Sequence, residues 1–84
     1  MYLNIGNEAI LKRQIVGIFD LDSATVKKNT RDTLTKLEKE GKTVTLTDDL
    51  PRSFIVTVND QGEQTVYLSQ FSAGTLMGRM KEIY

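Results

Sequence analysis

The stretch R-Q-I-V-G-I-F-D-L-D-S-A-T, residues 13–25, constrains the fold most strongly, because a strand apolar on both faces runs directly into a helix start. In an extended chain Ile15, Gly17 and Phe19 point one way and Val16 and Ile18 the other, so neither face suits bulk water. A small sheet usually keeps one face wet, so such a strand calls for another layer or another copy of the protein on its second face. Size sharpens the argument. A chain of 84 residues makes one domain, and at that length only about 60 to 65% of the unfolded surface is buried. Small folds gain stability from disulfides, metals or oligomerisation. The chain has no cysteine and no histidine, which excludes disulfides and the usual zinc sites. Oligomerisation remains, with Val16 and Ile18 at the interface, and a charge placed at either is expected to break the assembly.

The rest of the chain reads as a compact series of short elements. Residues 1–5 and 8–11 form a hairpin closed by Gly6-Asn7, and the central strand covers residues 14–20. Asp22 and Ser23 are N-cap types for a helix that starts near Ala24 and ends at Gly41, a natural C′ residue. Its apolar stripe is lean: Val26, Leu34 and Leu37, filled in by Thr30 and Thr33. Residues 43–47, T-V-T-L-T, suit a half-buried strand with Val44 and Leu46 inward. The turn Asp48-Asp49-Leu50-Pro51 precedes two strands, residues 53–59 and 64–69, joined through Gly62 as a hairpin. Ser72 caps a final helix whose stripe of Leu76, Met77, Met80, Ile83 and Tyr84 docks on a sheet. The class is therefore α+β: a small antiparallel sheet with two helices.

Catalytic chemistry is nearly absent. Without cysteine or histidine, thiol catalysis, imidazole acid/base work and the familiar triads are excluded, and the chain does not read as an enzyme. Asp48-Asp49, and secondarily Asp20 and Asp22, are the carboxylate pairs available, but before Leu-Pro an Asp pair serves turn chemistry. No calcium-loop spacing or phosphate loop is present, and no cofactor is called for. Gly74-x-x-x-Gly78 reads either as a close-approach site on a neighbouring subunit or as an irregular helix, since each glycine costs about 1 kcal/mol in a helix. The opening M-Y-L-N-I-G has no basic n-region or apolar h-region, and no apolar run approaches a membrane span, so a cytoplasmic protein without a membrane partner is expected.

Charge is balanced, eleven Lys and Arg against eleven Asp and Glu, so any attraction to nucleic acid depends on clustering. On the long helix, pairs such as Asp32 with Lys36 and Lys36 with Glu40 make a solvated ladder. Arg13, Arg52 and Arg79 lie near element ends without an acidic residue four positions on, where arginines can grip phosphates. Lys12 stands beside Arg13 in a turn between strands. A few arginines per subunit bind duplex DNA weakly, and an oligomer multiplies the contact.

The opening M-Y-L-N-I-G, the strand K-R-Q-I-V-G-I-F-D-L-D, the segment T-R-D-T-L, then D-D-L-P-R-S-F-I-V, and V-Y-L-S followed by S-A-G-T-L together resemble the bacterial extracellular-matrix regulators RemA and RemB. The resemblance spans nearly the whole chain as a single domain, residues 1–84, and is nearest the RemB type, in which V-G-I-F-D and L-P-[KR]-S-F are characteristic. It implies a cytoplasmic transcriptional regulator of biofilm-matrix genes that forms ring-like homo-oligomers and engages and bends DNA through arginines on the ring. Residue by residue, the family's DNA-contacting arginine after the second strand corresponds to Arg13. Its arginine pair in the loop before the penultimate strand pair falls on Asp49-Leu50, with Arg52 retained just afterwards. Losing two cations there weakens phosphate binding in every subunit. The alternative is an oligomeric interaction or structural module that leaves DNA alone and engages a partner protein, such as a paralogous regulator.

Overall fold

The computed structural model describes residues 1–6, 8–21 and 28–81. Strands β1 (Tyr2–Ile5) and β2 (Glu8–Leu11) pair antiparallel, with Ile5 opposite Glu8. A 3-10 turn, Lys12–Gln14, leads into β3 (Ile15–Asp20). Then come α1 (Lys28–Lys39), β4 (Thr43–Thr45), β5 (Ser53–Val58), β6 (Gln64–Ser69) and α2 (Ala73–Met80). The last four strands form one sheet in the order β3-β5-β6-β4.

That sheet is mixed, which corrects the expectation of an antiparallel one. β3 with β5 and β5 with β6 are antiparallel, but β4 joins β6 in parallel. The reason is the helix: α1 carries the chain from one sheet edge to the other, so β4 enters running the same way as β3, as a helical crossover allows. β4 is also shorter than the T-V-T-L-T pattern suggests. Leu46 packs on the core as expected, its N–H donating to the Leu68 carbonyl at 2.8 Å, whereas Val44, expected inward, is 39% exposed at the edge.

The central strand departs from simple alternation. Ile15 pairs with Thr57 and Gly17 with Val56, so the register shifts across Val16, the signature of a β-bulge. The shift moves Ile15 onto the face of Ile18, and both pack against Leu3, Ile5, Ile10, Ile55 and Leu76. Phe19 takes the opposite face and stacks on Phe54 with ring centroids 5.1 Å apart. Its ring lies back over Gly17, where an added Cβ would come within 2.6 Å of it. Val16 is left 67% exposed. The grouping of Ile15 with Gly17 and Phe19, and of Val16 with Ile18, is thereby corrected: Ile18 packs with Ile15 against the subunit's own core, and Val16 faces out, with Phe19 48% exposed on the opposite face.

Both faces of the sheet are covered from within the chain. On one side α2 and the β1-β2 hairpin enclose the first core. On the other, Leu34 and Leu37 of α1 cover Phe54, Val66 and Leu68. α1 thus supplies a second layer over β5 and β6, while on the same face of β3 Phe19 remains 48% exposed beside Phe54.

Caps fix both helices. Gly41, at φ 72°, donates to the Glu38 carbonyl at 3.1 Å, and Lys42 donates to that of Leu37 at 2.9 Å, the paired bonds of a Schellman ending. The expected start near Ala24, with Asp22 and Ser23 as caps, lies outside the described residues, as do Ile83 and Tyr84. Ser72 caps α2, its hydroxyl accepting from the Thr75 N–H at 3.2 Å. The Asp20 carboxylate accepts from the Ala73 N–H at 2.9 Å and ties β3 to the same helix start. Leu76 is fully buried, but Met77, expected on the inner stripe, is 54% exposed.

Candidate nucleic-acid interface

The basic residues singled out by position fall into two groups. Arg13 sits in the 3-10 turn with its side chain 71% exposed, and a guanidinium nitrogen lies 3.8 Å from the Asp60 carboxylate at the tip of the β5-β6 hairpin. Arg52 is exposed just before β5, where its backbone is locked by two hydrogen bonds: its N–H donates to Ser69 at 2.8 Å and its carbonyl accepts from Leu21 at 2.9 Å. Among the described residues its side chain has no partner. These two arginines flank β5 at opposite ends. Six strand residues separate the ends, roughly 20 Å at about 3.3 Å per residue.

Lys12 and Arg79 are used differently. The Lys12 ammonium donates to the Met80 carbonyl at 3.2 Å, placing a cation at the C-terminal end of α2, where the helix dipole favours positive charge. Arg79 donates to the Asn4 carbonyl at 2.9 Å and lies over the Phe71 ring at 4.2 Å. Both clamp α2 to the β1-β2 hairpin. The structure thus brings Lys12 and Arg79 together as internal fasteners and leaves Arg13 and Arg52 as separate outward cations.

The acidic turn is a turn in the expected sense, with one change of agent. The bond that tightens it is made by the Thr47 hydroxyl, which accepts from the Asp49 N–H at 3.0 Å, rather than by an Asp side chain. Asp48 and Asp49 are exposed, and Leu50 is 88% exposed. Among the described residues no three His, Cys, Asp or Glu side chains converge on a metal-sized site, and no helix is long and apolar enough to cross a membrane. Gly74 and Gly78 lie on the outer face of α2, where only the Ser72 hydroxyl, at 3.9 Å, approaches an added Cβ at Gly74 and nothing approaches one at Gly78. Neither glycine is required by packing inside the subunit.

Asp60 escaped the sequence reading. It lies 47 positions from Arg13, and only the pairing of β3 with β5 brings them together; the one available signal was its place at a hairpin tip.

A sequence model for a family described as RemA-like, extracellular matrix regulatory protein A-like, matches residues 2–80. No curated protein matches the chain.

Proposed function

The chain belongs to the RemA-like family and is an extracellular matrix regulatory protein; on that footing we propose that it is a cytoplasmic, DNA-binding transcriptional regulator of the RemB type, acting as a ring-like homo-oligomer. The observation that carries the DNA reading is Arg13. Its side chain stands 71% exposed on a short 3-10 turn, tethered by an ion pair of 3.8 Å to the Asp60 carboxylate. An exposed pair of that length is worth less than about 1 kcal/mol, so a phosphate that offers a bidentate grip can displace it. Arg52 supplies a second contact at the far end of β5. Two such contacts hold duplex DNA weakly, and repetition around an oligomer raises the affinity through effective concentration. Among the described side chains none is set up to read base edges, so preference for a site comes from DNA shape and bendability.

The test is fluorescence anisotropy with duplex DNA across a salt series, with Arg13→Ala alongside and the mass measured on the same samples. Binding by the parent should fall steeply with salt. In Arg13→Ala it should weaken for all sequences, with the slope reduced by about 0.9 per lost phosphate contact and the mass unchanged. A slope that Arg13→Ala leaves untouched removes the arginine from the interface. An intact oligomer that binds no DNA at low salt moves the function to a protein-interaction module, a reading favoured by the exposure of Leu50 where the family pattern has an arginine.

A further inference from the structure

We propose that the turn carrying Leu50 docks into the groove between β3 and α2 of a neighbouring copy of this chain, so that subunits join head to tail. The proposal rests on the oligomer reading and names the surfaces that make the joint.

The groove is apolar and open. Ile15, Val16 and Ile18 of the edge strand and Met77 and Met80 of α2 line a volume of about 330 Å³, with Lys81 at one end. Val16 and Met77, at 67% and 54% exposure, leave more apolar surface in water here than an isolated side chain would. Gly74 and Gly78 lie beside Met77 and Lys81 on the same helix face, at spacings of three and four residues. They keep that face low enough for another backbone to approach.

The knob is Leu50, 88% exposed. It is presented stiffly: Pro51 restricts the backbone immediately after it, Thr47 holds Asp49, and the Arg52 N–H is bonded to Ser69 at 2.8 Å. A pre-ordered turn loses little entropy on docking. Charge selects the match. Asp48 and Asp49 immediately precede the leucine, while Lys81 lines the groove.

Topology makes the joint directional. The groove opens on the β3 edge, and the turn leaves the β4 edge, at opposite ends of the strand order. Patches on opposite edges cannot both be met by one partner across a two-fold axis; they join successive copies, giving a ring when the rotation closes.

The experiment compares the mass of the full chain with Leu50→Glu, with Met77→Glu and with their equimolar mixture by sedimentation velocity, with circular dichroism as the folding control. Both positions are exposed, so the fold should survive either change. Each variant alone should be a monomer at concentrations where the parent is assembled. The mixture should form a dimer and nothing larger, because the Met77→Glu knob fits the intact groove of the Leu50→Glu subunit and the remaining knob and groove are both spoiled. A parent-like mass for Leu50→Glu overturns the joint while leaving the assembly reading intact. So does a mixture that stays monomeric. A parent that is itself monomeric at every concentration overturns the assembly reading, and the joint with it.

Discussion

Gly17 shows how much a single missing Cβ can decide. The Phe19 ring occupies the space above it and stacks on Phe54, so any side chain at residue 17 must push that ring away. Gly17→Ala should therefore destabilise the chain by about 1 kcal/mol, the worth of the Phe19–Phe54 stacking lost when the half-exposed ring swings aside. In a Phe19→Ala background most of that cost should vanish, and a double-mutant cycle of urea midpoints measures the difference. Equal costs in both backgrounds would mean that the ring is not the obstacle. At this scale the sequence was partly legible. The serine cap of α2 and the glycine ending of α1 were readable because each acts on backbone a few residues away. Arg79 was readable as a cation near a helix end, but its partner Asn4 lies 75 positions earlier. A local pattern holds no record of such a contact.

Among the elements, β3 separates what periodicity can and cannot deliver. Its strand character and its two apolar faces were clear from residue types. The face to which each residue belongs was not, because one inserted residue reverses the alternation on one side of the bulge. That distinction predicts different outcomes for two neighbouring charges. Ile18→Glu should destabilise the subunit itself, since it puts a carboxylate against Leu3, Ile55 and Leu76, at a cost of about 1–3 kcal/mol. Val16→Glu should leave circular dichroism and the monomer's denaturant midpoint nearly unchanged and act on the mass of the assembly instead. A loss of folding in Val16→Glu would place that side chain inside the subunit. The parallel entry of β4 was likewise hidden, because strand direction depends on where α1 delivers the chain and not on the composition of T-V-T-L-T.

For the whole molecule, the layers answer the stability question raised by its length. The sheet is covered by α1 on one face and by α2 with the β1-β2 hairpin on the other, so one subunit already encloses two small cores. The proposed assembly would then add stability to a formed subunit through mass action. The melting temperature of the parent should rise with protein concentration, and that of Leu50→Glu should not, as differential scanning fluorimetry over a hundredfold dilution series would show. A parent whose melting temperature ignores concentration would mean that association contributes nothing to the fold. The fold class and nearly every element were legible in the residues, together with the exposed setting of Arg13. The mixed direction of the sheet was not, because it exists only once distant edges have been placed.

The bulge at Val16 has one more consequence. A strand at the border of a sheet offers a row of unpaired amides and carbonyls on which any other strand can build, and unlimited growth of that kind ends in insoluble fibres. The extra residue breaks the even spacing of that row and twists the border, so a copy cannot simply continue the ladder. A border that is apolar through the Val16 side chain but awkward through its backbone is guarded against fibre growth.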